Sequence, residues 1–259
     1  MRFARFVVAD QIAYGLVDGD DRDQASLTVT AIDGHPFAPF EKSNARFPLT
    51  DVKLLPPVLP SKVIGIGKNY ADHAAEMGGT APATPIMFLK PSTSVIGDDE
   101  VILLPPQSER VEHEGELAIV IGRLAREVPA DRVSDVVLGV TCANDVTARD
   151  LQHSDGQWAR AKGFDSFCPT GPWIATDVAY DDLLIEVHVN DELRQSGRTS
   201  SMVHSVSDIV QFVSSVMTLL PGDLILTGTP SGVGVLTHAD EVTVTIENVG
   251  FLTNRVVRG

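Results

Sequence analysis

Residues 111–121 read Val-Glu-His-Glu-Gly-Glu-Leu-Ala-Ile-Val-Ile, and they place Glu114 and Glu116 in what is otherwise the pattern of a buried β-strand. Residues two apart on a strand point to the same face, so both carboxylates leave together, with Gly115 leaving room between them. The alternate apolar series that begins at Leu117 faces the other way. Two ionised carboxylates repel each other, and burying them unpaired costs roughly several kcal/mol or more. The pattern therefore predicts a positive charge between them, and a metal ion is the obvious candidate.

A third acid, Asp145, follows the apolar run 136–143, which is typical of a neighbouring strand. Three carboxylates without a histidine or a thiol form a hard oxygen site, which suits Mg²⁺ or Mn²⁺ better than zinc. The spacing alone is equally typical of solvated charges on an edge strand, so it leaves that alternative open.

The composition predicts a globular chain with a substantial core. Its 259 residues, 43% of them hydrophobic, suffice for one large domain or for a main domain with a small appendage. The formal net charge of -15, from 20 basic and 35 acidic residues, argues against a nucleic acid or an anionic membrane as a partner. Cys142 and Cys168 both lie in apolar neighbourhoods, so we expect the reducing cytoplasm and no disulfide framework. We see neither a secretory signal nor an apolar run near the ~18 residues of a membrane span.

Strand signals outnumber helix signals along the chain. Residues 1–57 are predicted to form a small N-terminal β domain, and the proline-rich segment 54–60 leads into a second domain, residues 58–259. A short helix is expected over Tyr70–Met77 and a longer one over Ser207–Leu220, with Ser207 as its N-cap. The predicted strands are Phe3–Val8, Ala13–Val17, Ser26–Ile32, Lys62–Ile66, Ile86–Lys90, Leu117–Ile121, Val136–Ala143, Leu183–Val189, Asp223–Thr227 and Glu241–Ile246.

Two glycine-rich segments do not carry nucleotide-binding motifs. In Gly65–Tyr70 a tyrosine stands where a dinucleotide motif has its third glycine, and Gly228–Gly234 lacks the Lys-Ser/Thr ending of a P-loop. The second segment is either an ordinary turn or a backbone nest for a substrate carboxylate.

Five further polar residues are candidates whose spacing alone does not decide their role. His73 and Glu76 lie three apart on the short helix, so they share a face and can form a dyad in which the carboxylate orients the imidazole. The alternative is that both side chains simply lie on a solvated face of the helix. Lys162, and Arg149 with Gln152 on one helical turn, are equally compatible with solvent-facing positions.

Taken together, these residues resemble the fumarylacetoacetate hydrolase family over about residues 60–255. The resemblance rests on segments that occur in the family's order, namely Gly67–Glu76, Phe88–Pro91, His113–Leu117, Asn144–Asp150, Ala161–Asp165 and Gly228–Gly234. It implies an α+β, mostly β fold, a mixed β-sandwich roll behind the small N-terminal β domain, and usually a homodimer. One departure is Asp191, where relatives commonly have glycine in an Asn-Gly turn.

The resemblance also implies roles for the candidate residues. Glu114, Glu116 and Asp145 would bind Mg²⁺ or Mn²⁺. His73 and Glu76 would form the catalytic dyad that activates water, and Lys162 would stabilise an oxyanion. Substrate contacts would come from Arg149, Gln152, Gly228 and Thr229.

The expected activity is hydrolysis of a C–C bond in a small 2,4-dioxo acid of the acylpyruvate or fumarylpyruvate type, through a metal-stabilised enolate. The same electron sink serves an oxaloacetate decarboxylase or a 2-hydroxyhepta-2,4-diene-1,7-dioate (5-carboxymethyl-2-hydroxymuconate) isomerase/decarboxylase. A non-catalytic metal-binding protein is a distant alternative. Residues 69–85, poor in apolar side chains, are expected to form a lid that carries the dyad.

Overall fold

The computed structural model describes residues 1–20 and 24–259, and these are mostly β-structure, as the sequence predicts. The strands, in chain order, are β1 (Arg2–Val8), β2 (Gln11–Asp18), β3 (Thr28–Gly34), β4 (Phe40–Pro48), β5 (Lys53–Leu55), β6 (Val63–Gly67), β7 (Ile86–Lys90), β8 (Val95–Ile96), β9 (Val101–Leu104), β10 (Val111–His113), β11 (Gly115–Ile121), β12 (Val137–Asn144), β13 (Thr147–Ala148), β14 (Cys168–Ala175), β15 (Leu184–Val189), β16 (Glu192–Arg198), β17 (Leu224–Leu226), β18 (Gly234–Val235), β19 (Glu241–Ile246) and β20 (Gly250–Arg258). The α-helices are α1 (Ala71–Glu76), α2 (Arg149–Asp155), α3 (Ala159–Lys162) and α4 (Val206–Val216). None of the helices in the described residues is long and apolar enough to cross a membrane.

Two sheets pack face to face as a mixed sandwich. The larger has 12 strands, in the order β4-β3-β2-β1-β14-β12-β11-β17-β6-β7, with β5 against β1 and β8 against β14. The smaller has the order β16-β15-β19-β20-β9, and a third, short sheet joins β13, β10 and β18. Both main sheets contain a parallel pair, β17 with β6 and β20 with β9. The largest hydrophobic cluster joins Leu117 and Ile119 of the large sheet to Ile185, Val187 and Val244 of the smaller one.

The N-terminal strands extend the large sheet. Strand β1 pairs with β14 through Arg2 opposite Ala175 and Phe3 opposite Ile174. Phe3 contributes to an apolar cluster that also contains Ala118. The boundary between residues 57 and 58 stays a prediction.

Strand β11 lies in the middle of the large sheet, between β12 and β17. Its residues are buried on both faces. Leu117 and Ile119 belong to the core between the sheets, whereas Ala118 and Val120 belong to the cluster on the opposite face. The predicted division of this strand into two faces is confirmed.

The chain changes sheets at Glu114, between β10 in the short sheet and β11 in the large one. There the Glu114 N–H donates to the Asn144 side chain (2.9 Å) and its carbonyl accepts from the Asp145 N–H (2.8 Å). The expectation that Gly115 makes room between two carboxylates is wrong. A Cβ at this position would lie 2.2 Å from Cγ2 of Val187, so glycine is needed for the close approach of the smaller sheet.

Helix α4 begins two residues earlier than predicted. Its N-cap is Ser205, not Ser207, because Asp208 lies three residues after Ser205 and completes a reciprocal capping box. The residue three after Ser207 is Val210, which cannot return a hydrogen bond. The helix ends at Val216, short of the predicted Leu220.

The two-residue turn between β15 and β16 gives a stability prediction. Asn190 (φ 51°) and Asp191 (φ 66°) both adopt the left-handed conformation that such hairpins require. Because a Cβ is disfavoured there, Asp191→Gly should raise the free energy of unfolding by about 0.5–1 kcal/mol, measured by urea denaturation. Asp191→Ala is the matched control and should give no gain; equal stabilisation by alanine would contradict this explanation.

Candidate metal centre and active site

Three carboxylates converge where β11 begins and β12 ends. The two strands are antiparallel, with Glu116 opposite Ala143, so the start of β11 lies beside Asp145, the first residue after β12. Oxygen atoms of Glu114, Glu116 and Asp145 lie within 4.8 Å of one another. All three residues are buried, with 4%, 2% and 1% of their surface exposed. The alternative of solvated edge-strand charges is therefore wrong.

Buried cations compensate most of this negative charge. The Lys162 ammonium donates to Glu114 Oε2 (2.8 Å) and Asp145 Oδ2 (2.7 Å), and Lys90 Nζ donates to Asp145 Oδ1 (2.5 Å). The Arg149 guanidinium bridges Glu114 (2.5 Å) and Glu112 (2.6 Å). Burial would lower the pKa of Lys162, but the two carboxylates outweigh it and raise that pKa. Lys162 therefore stays charged.

Glu116 is the acid that this arrangement leaves without a cation. Its carboxylate accepts a hydrogen bond from the Gly228 N–H (2.6 Å), while burial and the charges of Asp145 and Glu114 raise its pKa well above the ordinary value. For Glu114, burial acts in the same direction, but Lys162 and Arg149 prevail and lower the pKa. The raised pKa therefore favours the protonated form of Glu116 unless a cation shares the site.

The donor set fits a hard divalent cation. Three convergent carboxylates offer only oxygen ligands, and Mg²⁺ and Mn²⁺ prefer oxygen. The buried Tyr70 hydroxyl has no hydrogen-bond partner in the described part of the chain, and its pKa is raised by burial and by the Glu116 charge. An orphaned hydroxyl close enough to Glu116 to be affected by its charge is a group that a water or ligand of such a cation would satisfy.

His73 and Glu76 form a dyad, as their spacing suggests. His73 Nδ1 lies 3.1 Å from Glu76 Oε2, and the Gly232 N–H donates to both oxygens of Glu76 (3.1 and 3.3 Å). With an ionised Glu76, Nδ1 must carry the proton, so Nε2 is the free acceptor. His73 is only 5% exposed and lines the same cavity as the carboxylates.

A cavity of about 250 Å³ joins the triad and the dyad. Arg149, Gln152, Lys162 and Thr229 line it together with His73 and the three acids. Its other walls are Ile66, Gly67, Lys68, Met77, Phe88, His153 and Trp158. The Lys162 ammonium lies 5.0 Å from the centroid of the Phe88 ring, which contributes a cation–π contact.

The predicted substrate contacts are not all free to contact a ligand. Arg149 is engaged by acids and also donates to the Gln152 side chain (2.5 Å). The Thr229 hydroxyl donates to the Gly115 carbonyl and accepts from Gln195, both at 2.8 Å. Gly228 does not line the cavity, and its N–H is used by Glu116. The roles assigned to these residues stay predictions.

Three residues of the site were not among the candidates. Two of them lie inside segments already identified from the sequence. Lys90 ends an apolar strand, and Glu112 lies two residues before Glu114. Gln195 had no signal in the sequence. It is fully buried, accepts from the Gly115 N–H (3.0 Å), contacts His113 Nδ1 (3.1 Å) and donates to the Thr229 loop. Gln195 therefore ties that loop to the start of β11.

The chain belongs to the fumarylacetoacetate hydrolase family, and its fold is that of the family. Residues 62–257 match the family described as fumarylacetoacetate (FAA) hydrolase C-terminal, and residues 1–57 match Rv2993c-like, N-terminal. The family resemblance of the motifs is confirmed, and with it membership of an enzyme family.

Relatives cover the whole chain or most of it. Protein Rv2993c of Mycobacterium tuberculosis is 52% identical over 261 residues, which span 100% of this chain and 98% of the relative. A crystal structure of 2-hydroxyhepta-2,4-diene-1,7-dioate isomerase from Mycobacterium marinum shares 49% identity with a TM-score of 0.94, over 100% of this chain and 98% of that one. The mitochondrial oxaloacetate tautomerase Fahd2a of Rattus norvegicus is 44% identical over 222 residues, 81% of this chain and 71% of the relative.

The raised pKa of Glu116 predicts that metal binding releases protons. A cation must displace the Glu116 proton, so Mn²⁺ affinity should rise as pH increases above the ordinary glutamate pKa. Calorimetric titrations in buffers of different ionisation enthalpy measure the released protons. Glu116→Gln should abolish this release and weaken Mn²⁺ binding at least about tenfold.

The exposed Glu109→Gln is the matched control and should leave both quantities unchanged.

In the absence of metal, the raised pKa of Glu116 also makes the free energy of unfolding depend on pH. The folded chain retains this proton above the ordinary glutamate pKa, whereas the unfolded chain has lost it. Glu116 therefore makes the free energy of unfolding decrease as pH rises from the ordinary glutamate pKa to the raised pKa of the folded chain. Wild-type proton release in Glu116→Gln would contradict the assignment.

Proposed function

We propose that this protein is a divalent-metal-dependent enzyme that moves a proton within a small 2-oxo acid, as a tautomerase or isomerase, through an enolate. The observation that carries the proposal is that the buried His73 base and the three-carboxylate site line one small cavity. Mg²⁺ or Mn²⁺ would be held by Glu114, Glu116 and Asp145. When bound, the ion would polarise the 2-oxo group and stabilise negative charge on its oxygen.

His73 is placed to move the proton. Its Nε2 accepts a proton from the carbon next to the 2-oxo group, which leaves the electron pair as an enolate. The resulting imidazolium then returns the proton to the enolate oxygen, giving the enol, or to another carbon of a conjugated chain, giving an isomer. Glu76 fixes the ring and stabilises its positive form, because the Gly232 N–H holds the Glu76 carboxylate in place.

Lys162 stabilises the negative charge of the same enolate. An ammonium group has three N–H donors, and Glu114 and Asp145 take two of them. The third is available for an oxygen of the substrate, and the positive charge stabilises an enolate nearby. Lys162 thus both orients two carboxylates and favours the enolate.

Two of the relatives described above support proton transfer. The Mycobacterium marinum structure is named an isomerase and the Rattus norvegicus relative a tautomerase. Neither reaction adds water, and a base that returns its proton profits from the burial of His73, because bulk water competes less for that proton. Oxaloacetate and 2-hydroxyhepta-2,4-diene-1,7-dioate are therefore the first substrates to test.

C–C hydrolysis of a 2,4-dioxo acid is the second candidate. Glu76 is 34% exposed in its side chain, so solvent water reaches the dyad and can be activated by His73. Decarboxylation of oxaloacetate would need only the enolate-stabilising groups and no attacking water.

We also infer a cytoplasmic enzyme that assembles as a homodimer and binds neither nucleic acid nor membrane. Burial raises the pKa of both Cys142 and Cys168, which keeps these thiols unreactive in a reducing compartment. Val101 and Leu103, on the outer side of edge strand β9, are 39% and 48% exposed and offer apolar surface for a second copy. The net charge of -15 supports the absence of polyanionic partners.

Replacement of the base should separate chemistry from binding. His73→Gln should lower kcat for ketonisation of enol-oxaloacetate by about 100-fold or more and change KM little, since the ring acts on the proton and not on the metal site. The loss of enol absorbance with Mg²⁺ measures the rate. The exposed His238→Gln is the matched control and should keep wild-type kcat. Unchanged kcat in His73→Gln would remove the dyad from the reaction.

A substrate panel tests which reaction dominates. Wild-type protein with Mg²⁺ should act faster on enol-oxaloacetate or the heptadienedioate than on acetylpyruvate, because the first two need only proton relocation. Each rate is followed with and without chelator. Faster cleavage of acetylpyruvate would favour the hydrolase instead.

A further inference from the structure

Lys68 lines the active-site cavity from the segment between β6 and α1. It is half-buried and adopts a left-handed backbone conformation, φ 57°, which is strained for a residue with a Cβ. Such conformations concentrate at functional sites. Its ammonium lies under the turn that follows α1, since a Cβ at Gly79 would be 3.4 Å from Lys68 Nζ.

Lys68 differs from the other cations of the cavity in having no carboxylate partner. Arg149 and Lys162 both form short ion pairs with the buried acids. Lys68 forms no ion pair in the described part of the chain, although the cavity is rich in acids. A cation that the protein itself does not neutralise is available to an anionic group of a ligand.

We propose that Lys68 binds the carboxylate at the end of the substrate remote from its 2-oxo acid group, and so selects dicarboxylic 2-oxo acids. This rests on the proposed function, which places the 2-oxo acid end at the three carboxylates and their cation. The remote carboxylate of a diacid would be repelled by Glu114, Glu116 and Asp145, so it needs a separate cation. A cavity of about 250 Å³ restricts the diacid to a short one.

The position of Lys68 links this selection to the expected lid. Its ammonium lies next to Gly79, and His73 and Glu76 belong to the helix just before that glycine. A carboxylate bound to Lys68 would contact the segment that carries the base. Binding of a diacid would therefore also hold His73 over its substrate.

The test compares oxaloacetate with its 4-ethyl ester, which keeps the reacting end and lacks the remote charge. Wild type should prefer the acid at least about tenfold in kcat/KM, and Lys68→Met should reduce that preference by about 10- to 100-fold, the worth of one charge-assisted hydrogen bond. Most of the change should be in KM for the acid. Lys68→Arg should restore the preference, whereas Lys42→Met, an exposed lysine on β4, should not alter it.

Several outcomes would overturn this role for Lys68. A wild type that turns over acid and ester equally well needs no cation for the remote carboxylate, whatever the variants do. Equal losses on both substrates in Lys68→Met would make the residue merely structural. Loss of the preference in His153→Gln instead would assign the carboxylate to that exposed imidazole. If wild type turned over neither substrate, the proposed function itself would fail, which is a distinguishable result.

Discussion

The burial of four carboxylates against three cations is the constraint on which this site depends. Glu112, Glu114, Glu116 and Asp145 are each at most 4% exposed, and Lys90, Arg149 and Lys162 are each at most 3% exposed. Unpaired, any one of these charges would destabilise the fold by roughly several kcal/mol, so their positions are fixed together. The antiparallel pairing of β11 and β12, the change of sheet at Glu114 and the docking of α2 and α3 all serve to bring these groups together. The candidate metal site is thus a consequence of how the charged core is packed.

The elements predicted from the sequence are those whose patterns are unambiguous. Strands β11 and β12 are continuous apolar runs, and such runs between turns are typical of a buried sheet. Strand β14 was not predicted, because Pro169, Gly171 and Pro172 argue against a central strand. It is nevertheless fully buried and pairs with both β1 and β12. Neighbouring strands impose that conformation, and no local pattern reports it.

The residues of the site likewise differ in how well the sequence identifies them. Acids in an apolar run are conspicuous, because burial of a charge needs a reason, and so Glu114 and Glu116 could be identified. Lys90 ends an apolar strand, where a lysine usually extends to solvent, so only the fold reveals its ion pair with Asp145. Gln195 lies on β16, whose exposed pattern suggests a surface strand. It contacts Gly115 and Thr229 across 80 and 34 positions of sequence, a proximity that chain topology alone creates.

The charges of the site also determine the order in which the cation and the substrate bind. Because the pKa of Glu116 is raised by burial and by the charges of Asp145 and Glu114, this acid is protonated before a cation binds, and the cluster of four acids and three buried cations then carries no net charge to attract an anionic substrate. A divalent cation that displaces this proton gives one net positive charge, and a 2-oxo carboxylate then neutralises it. Anionic substrate should therefore bind well only after the cation. Lys68 adds one further positive charge at the cavity wall, so the loaded site matches a dianion better than a monoanion. The same electrostatics that hold the acids together in the fold thus favour a dicarboxylate in the cavity.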